Sequence, residues 1–521
     1  MYLIMKKVFV DAQKPVKKVN NFWNHIHFHP TDAIEDVWGQ RILDSVAADR
    51  AAKMVRIYAM LEDIVYEGEN GELLYDFSDT DKRIDYMVSK GFKLLICMNF
   101  LPRAIAKDKT LISELARYKN KHLFTSVPSD YRLWQEVCAK YVEHLIERYG
   151  EELVSSWYFH CWNEPNLYAF WMSDCREWEK VTTEYIKLYD FFAEGIKGVS
   201  EKIRVGGPSA AFAFLSDAPR TDEYGPLVDA MFIKKFLTHV KSGKNHANGK
   251  TGTAFDFYSV HTYGDLHDSI KKNTLDHTFC TDMLINYKKL AADCGFPDIE
   301  IISDEWEISG GGFVGTAKYP FVEYRNSEVF SAHYFAFIED IIRKDVSLSA
   351  LMICLSGQHN LPGDFVGTRT FATRSGFKTP IYNAYALSAM LGETILENNA
   401  DDKIGVIPTL CENGDVAIAI FNYSKNLLKP NGTLNTRLAV KLPEGEYTVS
   451  HYRLDKENCN SYTAWKELGR PDSYSQAALE SINQASVLKP WYEDEEFVGT
   501  DFSLDMQLSD YSVSLLKFRK N

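Results

Sequence analysis

Two short motifs carry the carboxyl groups that could do chemistry in this sequence. Glu164 stands in the run WNEPN at 162–166, and Glu305 stands in the run SDEW at 303–306. Each motif closes an apolar run that is typical of a buried strand. Two carboxyl groups brought to one point suit glycoside hydrolysis, because one must protonate the departing oxygen while the other attacks the anomeric carbon or activates water there.

Eight apolar runs must position these motifs. The runs are 22–28, 52–60, 92–100, 157–163, 203–209, 255–263, 299–306 and 348–356. Between them, segments such as 130–150 repeat apolar residues at three- and four-residue spacing, as helices covering a sheet do. Eight such units predict an α/β fold, a (β/α)8 barrel (TIM barrel) over residues 19–393, with both motifs at C-terminal strand ends, where reactive groups gather. A doubly wound open sheet is the alternative, but it rarely has eight regular units.

A different pattern follows residue 393. The β-rich runs are 414–424, 436–445, 446–455 and 511–520, and Gly, Pro, Asn and Asp turns separate them. This pattern predicts a β-sandwich domain over 394–521. The run KKVFVDAQ near the N-terminus has no helix after it, so residues 1–18 are expected to add a strand to the sandwich.

The composition of the chain narrows the classes of partner. The 521 residues include 58 Lys and Arg against 72 Asp and Glu, a net charge of −14. A nucleic-acid-binding protein needs a basic stripe to neutralise phosphates, so the acidic balance predicts a neutral substrate and no nucleic acid. The 10 Trp, 29 Tyr and 31 Phe suit sugar stacking as well as a large core.

Cysteine usage and hydropathy bear on the compartment. The nine cysteines include no Cys-x-x-Cys pair, and several lie in apolar runs, which favours buried reduced thiols over disulfides or a zinc site. No apolar run is long enough to span a bilayer, and the N-terminal apolar stretch is too short for a signal-peptide core. We therefore expect a cytoplasmic protein without membrane partner or cofactor, and we leave a homo-oligomer open.

The motifs and their order resemble glycoside hydrolase family 39, which contains β-xylosidases and α-L-iduronidases. The run WYFHCWNEPNLYAFW at 157–171 is similar to the family's acid/base segment, and ISDEW at 302–306 is similar to its nucleophile strand. Further similar runs are RVGGPS at 204–209, DFYSVHTYG at 256–264 and the last loop and helix at 364–393. The resemblance covers most of the chain and is closer to the β-xylosidases.

The resemblance implies a retaining double displacement in which Glu164 is the general acid/base and Glu305 is the nucleophile. Carboxyl groups about 5–5.5 Å apart accord with retention, and a separation of about 6.5–9.5 Å accords with inversion. Glu305 should be ionised and held by hydrogen bonds. Glu164 should have a raised pKa, because the neighbouring carboxylate and an apolar wall both disfavour a second charge.

Two neighbouring carboxylates compete with Glu305 for the nucleophile role. Strand alternation puts residues 303, 305 and 307 on one face, so Asp304 is expected to point away from the site. Glu307 is expected to lie past the strand end. Both are therefore weaker candidates than Glu305.

Five further residues are candidate sugar ligands. The amide of Asn163 could bind the sugar 2-hydroxyl, although a residue of this type also suits a turn. His261 and Tyr263 share one face of a strand, and the resemblance implies that one of them contacts the nucleophile or its sugar; a satisfied core histidine is the alternative for His261. His27, or His29 in its place, is a candidate for binding a sugar hydroxyl. Tyr58 stands two residues after an arginine, where family members usually have a histidine, so the recognised sugar could differ.

Three histidines on the first barrel strand suggest a metal site. His25, His27 and His29 alternate onto one face of this strand. Residues i and i+2 of a strand lie about 6–7 Å apart and parallel, whereas zinc needs three or four ligands that converge on one point. We therefore predict no metal site.

The identity of the sugar depends on charge in the pocket. An iduronidase must bind a carboxylate and needs a Lys or Arg to do so. Iduronidases resembling this chain read HRKG at the end of the sixth strand, where 261–264 reads HTYG without a cation. Arg369 or Arg374 could still supply a charge from the last loop. The candidate stacking residues are Trp162, Trp171 and Trp306, with core packing as the alternative for Trp171.

These observations favour a retaining exo-glycosidase that removes terminal neutral sugars, β-D-xylose first among them, from small oligosaccharides. Two alternatives stay open. One is an arabinosidase or another glycosidase that uses the same two glutamates, and the other is a carbohydrate-binding protein on an inactive scaffold. The intact NEP and DEW contexts argue against the second, because a binding-only site has no need of the acid. A structural or interaction module has little support.

Overall fold

The structure is a computed structural model of the chain. It describes residues 5–28, 34, 37–118, 121–211, 229–311, 314–357, 361–400 and 404–521. The strands are β1 (Lys6–Lys18), β2 (His25–His27), β3 (Met54–Tyr58), β4 (Val65–Glu67), β5 (Leu73–Tyr75), β6 (Lys93–Met98), β7 (Ile112–Tyr118), β8 (Lys121–Phe124), β9 (Tyr158–Cys161), β10 (Arg204–Ala210), β11 (Phe257–Tyr263), β12 (Glu300–Glu307), β13 (Ala350–Cys354), β14 (Thr394–Asn398), β15 (Gly405–Leu410), β16 (Val416–Phe421), β17 (Leu434–Lys441), β18 (Glu446–Leu454), β19 (Pro490–Val498), β20 (Asp501–Leu508) and β21 (Val513–Lys520).

The helices follow the same chain order. They are α1 (Val37–Ala48), α2 (Ser78–Ser89), α3 (Tyr131–Tyr149), α4 (Glu151–Ser155), α5 (Trp178–Val199), α6 (Asp229–Ser242), α7 (Leu266–Lys272), α8 (His277–Asp293), α9 (Glu328–Arg343), α10 (Pro380–Ser388), α11 (Ser461–Glu467) and α12 (Gln476–Ser486). Short 3-10 helices span Leu61–Asp63 and Pro320–Asn326. No helix among these described segments is both long and apolar enough to cross a membrane.

Eight parallel strands close into a barrel, as the sequence predicts. Their order around the barrel is β2, β3, β6, β9, β10, β11, β12 and β13, and β13 pairs with β2 to complete the circle. Each of the eight apolar runs overlaps one of these strands, and at least one helix follows each strand before the next begins. The period-2 and period-3.6 patterns therefore located every unit of the barrel.

The interior of the barrel changes from apolar to polar along the strands. A buried apolar cluster fills its lower part, and its members come from six strands: Met54, Leu95, Tyr158, Phe257, Ile302, Ala350 and Met352. Towards the C-terminal ends, inward-facing positions of the same strands become His, Arg, Asp and Glu. The apolar layer thus supports a polar layer at the end of the barrel where loops converge.

Nine strands form a second, mixed sheet in the order β19, β18, β21, β16, β15, β14, β1, β17 and β20. The N-terminal β1 pairs antiparallel with β14 and parallel with β17. The sheet folds onto itself, because Phe502 of β20 contacts Phe497 of β19 and Phe518 of β21, with ring centroids 5.5 and 5.0 Å apart. It encloses its own apolar core, so the second module is a β-sandwich.

Two helices that the sequence patterns did not predict interrupt the sandwich. α11 and α12 lie between β18 and β19 and carry Tyr462 and Trp465. These rings pack with Phe365 and Phe377 of the last barrel loop in a separate small core. The helices therefore attach the sandwich to the loop after β13.

The cysteines are all free thiols. Cys294 and Cys411 are half-buried, and the other seven are buried. Their apolar surroundings raise the pKa of several of these thiols, Cys411 to about 11 through burial, which keeps them protonated and unreactive.

Candidate active site

The structure brings Glu164 and Glu305 together. Glu305 lies on β12, and Glu164 lies in the loop directly after β9. Only 8% of Glu164 and 6% of Glu305 is exposed. One oxygen of each carboxyl group and one ring nitrogen of His261 lie within 4.8 Å of one another. The two predicted reactive groups therefore face the same small volume.

The backbone at the end of β9 turns sharply to present Glu164. Trp162 and Glu164 have φ angles of 67° and 48°, in the left-handed region that side-chain-bearing residues seldom adopt. The backbone N–H of Glu164 donates to the carbonyl of Ser209 at 3.0 Å, which ties the turn to β10. Backbone strain of this kind is concentrated at functional sites, where the surrounding structure holds it.

Arg56 connects most of the polar layer. Its Nη1 donates to Glu305 Oε1 at 2.7 Å, and its Nη2 donates to Asn163 Oδ1 at 2.6 Å. Its Nε lies 3.1 Å from both Asp304 Oδ2 and His160 Nε2. Because Arg56 is completely buried, its guanidinium fork holds these groups at fixed positions. Asn163 is oriented so that its amide nitrogen is directed away from Arg56.

Three further contacts hold the carboxylate of Glu305. Tyr263 donates its hydroxyl to Glu305 Oε2 at 2.5 Å, and His27 Nδ1 lies 3.0 Å from Oε1. His261 Nδ1 lies 3.6 Å from Oε2 and donates to Glu164 Oε1 at 2.9 Å. His261 thus stands between the two carboxyl groups.

The two glutamates have opposite pKa shifts. Burial disfavours the charge of Glu305, but the charge of His261 and the hydrogen bond from His27 outweigh burial and hold the pKa of Glu305 well below its usual range. Burial raises the pKa of Glu164, and the charge of Glu305 raises it further, although His261 lowers it in part. Glu305 is therefore ionised where Glu164 can keep a proton.

His261 is a cation in this site. Burial lowers its pKa, but the charges of Glu305 and Asp304 outweigh burial and raise the pKa to about 10. Burial and the charge of Arg56 lower the pKa of His27 to about 4, so this second histidine is neutral at pH 7. The two histidines thus carry different charges, because one faces two carboxylates and the other faces a guanidinium as well.

A β-bulge in β12 overturns the prediction that Asp304 points away. In the pairing with β11, Val260 lies opposite Ser303 and His261 lies opposite Glu305, so Asp304 is an extra residue. Both Asp304 and Glu305 consequently face the interior and contact Arg56. Ser303, expected on the inner face, instead donates its hydroxyl to Thr262 Oγ1 at 2.9 Å.

The comparison with known proteins decides the family. The sequence profile of glycosyl hydrolases family 39 matches residues 6–495. The chain belongs to glycosyl hydrolases family 39. It is therefore a glycoside hydrolase with a carbohydrate substrate, and the predictions of family and of a barrel with a β-sandwich are confirmed.

Both branches of the family are among the relatives. A β-xylosidase of Caldicellulosiruptor saccharolyticus is 26% identical over 499 residues, covering 93% of this chain and 92% of the relative. An α-L-iduronidase of Homo sapiens is 24% identical over 522 residues, covering 89% and 71%. The crystal structure of a monomeric β-xylosidase from Caulobacter crescentus CB15 superposes with a TM-score of 0.78 at 21% identity and covers 99% of both chains. The β-xylosidases are the more similar curated relatives.

Tyr58 occupies the place that the resemblance gives to a histidine in family 39. Its ring stacks on His27 with centroids 5.6 Å apart, and Phe100 lies 6.4 Å away. Only 8% of Tyr58 is exposed; its ring belongs to the buried core, and the charges of Arg56 and Glu305 act on its hydroxyl. The departure therefore lies at the wall of the site.

Trp306 does not face the sugar site of this family 39 enzyme, so that prediction is wrong. Its ring is fully buried and stacks on Tyr334 at 5.8 Å, and its Nε1 donates to the hydroxyl of Tyr385 at 3.2 Å. The reason is strand alternation: with Glu305 inward, the next side chain points outward into the helix layer. The other two stacking candidates, Trp162 and Trp171, are also fully buried and pack edge to face at 4.9 Å.

The last loop contributes one of the two predicted cations. Arg369 is buried, with its Cζ 5.1 Å from the ring centroid of Tyr263. Arg374 donates to the carbonyl of Pro362 and lines a separate cavity of about 980 Å³ beside α11. Arg369 therefore lies against Tyr263, which in turn donates a hydrogen bond to the nucleophile Glu305.

Sequence reasoning missed Arg56, His160 and Asp304 as members of the polar layer. A signal for Arg56 was present, because it is the one charged residue inside the apolar run VRIYAM of a buried strand. His29, the third histidine of the first strand, lies outside the described residues. The described histidines of that strand, His25 and His27, occupy different layers of the barrel.

The site also contains atoms of the types that bind metals. Glu305 belongs to two such groups, one with His27 and Cys354 and one with Glu164 and His261. A metal at either place would have to displace the donors Arg56 and Tyr263 from Glu305 and lie beside a guanidinium. This charge arrangement suits a free carboxylate nucleophile better than a metal ligand.

Proposed function

We propose that this protein is a retaining exo-glycosidase that removes terminal β-D-xylose from small oligosaccharides. The observation that carries the proposal is the approach of Glu164 and Glu305, which have one carboxyl oxygen each within 4.8 Å of the other, with the pKa of Glu305 lowered and that of Glu164 raised. An inverting pair needs room for a water molecule and is about 6.5–9.5 Å apart. Nearest oxygens within 4.8 Å of each other suit the closer spacing of a retaining pair, about 5–5.5 Å between carboxyl groups, and so support direct attack by a carboxylate.

The chemistry proceeds in two balanced steps. First, a carboxylate oxygen of Glu305 bonds to the anomeric carbon, the glycosidic C–O bond breaks, and Glu164 gives its proton to the departing oxygen. Second, Glu164 takes a proton from water, the hydroxide bonds to the anomeric carbon, and the bond to Glu305 breaks. Asn163, held by Arg56, presents its amide nitrogen to the sugar 2-hydroxyl, a contact that strengthens as positive charge develops on the ring.

Burial of the site supports exo action. Neither glutamate is more than 8% exposed. We infer from this burial that the site takes the end of an oligosaccharide rather than the middle of a long chain. Exclusion of water also strengthens the hydrogen bonds that hold Glu305.

The choice of a neutral pentose rests on two observations. The more similar curated relatives are named β-xylosidases. The end of β11, at 261–264, carries no lysine or arginine for a uronate carboxylate. Arg369 makes α-L-iduronide the informative competitor, because it places one cation against Tyr263.

A panel of nitrophenyl glycosides tests the proposal. The panel contains β-xyloside, α-arabinosides, β-glucoside, β-galactoside and α-iduronide, assayed with the wild type, Glu305→Ala and the exposed control Glu201→Ala. Fastest hydrolysis of the β-xyloside by wild type and control, with no turnover by Glu305→Ala, is the expected result. Faster hydrolysis of another glycoside would identify a different glycone. If a folded wild type hydrolysed none of the glycosides, the result would favour a binding protein.

Two variants test the roles within the pair. Glu164→Ala should lose far more activity on substrates with poor leaving groups than on activated aryl glycosides, because only the former need protonation. Azide should restore turnover to Glu305→Ala and yield a glycosyl azide of inverted configuration, since it attacks from the face that the carboxylate has vacated. Equal losses on both substrates, or a rescued product of retained configuration, would contradict these assignments.

A further inference from the structure

A second cluster of ligand-type side chains lies outside the active site. Asp190 of α5, His239 of α6 and His246 of the loop before β11 bring one oxygen and two ring nitrogens within 4.8 Å of one another. His239 Nε2 lies 2.9 Å and His246 Nδ1 lies 2.7 Å from the same atom, Asp190 Oδ2. The three atoms converge on one point, which the histidines of the first barrel strand cannot do.

The carboxylate of Asp190 is oriented by its neighbours. The hydroxyl of Thr253 donates to Oδ1 at 2.5 Å, and the backbone N–H of His246 donates to Oδ2 at 2.8 Å. Asn245 in turn donates its amide to Thr253 Oγ1 at 3.1 Å. The carboxylate of Asp190 thus has the outer contacts that metal-binding carboxylates need.

We propose that Asp190, His239 and His246 bind one zinc ion, with water as the fourth ligand. Zinc favours two imidazoles and a carboxylate at about 2.0–2.2 Å in a tetrahedral arrangement, which sets neighbouring ligand atoms about 3.3 Å apart. The present separations of 2.7 and 2.9 Å therefore need to widen by only about half an ångström. The side chain of His246 is 37% exposed and that of His239 is 13% exposed, which opens a path for the ion and its water.

The ion joins three separate parts of the chain. α5, α6 and the loop at 244–254 belong to the outer layer of the barrel, and this loop leads directly into β11. Tyr189, next to Asp190, donates its hydroxyl to the carbonyl of Ala254 in the same loop. A zinc ion there fastens the start of the strand that carries His261 and Tyr263. Its role is structural, because no ligand faces the glutamate pair.

Metal titration tests the proposal. The purified protein is treated with EDTA, dialysed and titrated with ZnCl2 by calorimetry, beside His246→Ala and the control His122→Ala, an exposed histidine of β8. We expect one ion per chain for wild type and control, and binding at least about 100-fold weaker for His246→Ala, because losing a direct ligand should exceed the 10–100-fold effect of an outer contact. Co²⁺ should give the visible absorption of a tetrahedral site in the wild type and in His122→Ala, but not in His246→Ala.

Thermal unfolding gives an independent readout. Zn²⁺ should raise the Tm of the wild type and of His122→Ala but not that of His246→Ala, since an ion that binds only the folded chain stabilises it. Hydrolysis by His246→Ala, assayed well below its Tm, should match the wild type. Less than half an ion per chain in the wild type, or equal binding by His246→Ala, would overturn the site and leave the cluster as a hydrogen-bonded clamp.

Discussion

Replacement of Asp304 by Asn tests the β-bulge and the charge balance of the polar layer together. Asp304 is fully buried, lies 3.1 Å from Arg56 Nε and accepts the hydroxyl of Ser209 at 2.8 Å. Burial disfavours its charge, but Arg56 and His261 outweigh burial and hold the pKa at about 2, against the usual 3.8. By linkage, this shift corresponds to about 2 kcal/mol of unfolding free energy at pH 7. Asn keeps the shape but removes this contribution and one counter-charge of Arg56, so we expect a loss of about 2–4 kcal/mol.

The sign of the pH dependence follows from the lowered pKa. Because the folded value lies below the unfolded one, the contribution of Asp304 is present above about pH 4 and is lost as the pH falls towards about 2. The difference between wild type and Asp304→Asn should therefore shrink over that range. Urea unfolding followed by tryptophan fluorescence at pH 7 and near pH 3 measures it.

A surface aspartate provides the matched control. Asp268 pairs with Lys272 on the exposed face of α7, so Asp268→Asn should change the free energy of unfolding by less than about 0.5 kcal/mol. If Asp304→Asn at pH 7 were as stable as this control, the inward position of Asp304 would be refuted. The inward position would also be refuted if the difference in unfolding free energy between wild type and Asp304→Asn did not shrink as the pH falls towards about 2.

Three other substitutions test individual contacts. Tyr263→Phe should lower kcat about 10- to 100-fold on the aryl glycoside, because it removes a hydrogen bond to the charged Glu305 worth about 1.5–3 kcal/mol; an unchanged kcat would contradict this contact. His261→Gln should move both limbs of the kcat/KM pH profile upward, since His261 lowers the pKa of Glu305 and of Glu164; a downward move of either limb would show that the charge is misassigned. Trp306→Phe should lower the Tm and leave KM unchanged, because Trp306 packs in the buried helix layer. A raised KM would indicate that this ring contacts the sugar after all.

The sequence by itself determined the architecture and the reactive pair. The eight apolar runs, the helical segments between them and the four β-rich runs after residue 393 are local periodic patterns. Each appears in the structure as the predicted type of element, whereas α11 and α12 were not predicted. The motifs around Glu164 and Glu305 lie at C-terminal ends of parallel strands, and such ends meet at one face of any barrel. That rule brings the two glutamates together although 141 positions separate them in the chain.

Tertiary structure alone decided which neighbours share the site and which charge each group carries. The bulge at Asp304 depends on how β12 pairs with β11, and a period-2 pattern in the sequence does not show where a strand has an extra residue. The opposite pKa shifts of Glu164 and Glu305 depend on Arg56 and His261, which other strands supply. Alternation along one strand predicts a face, but charge and contact arise between strands, and their register is set only when the barrel closes.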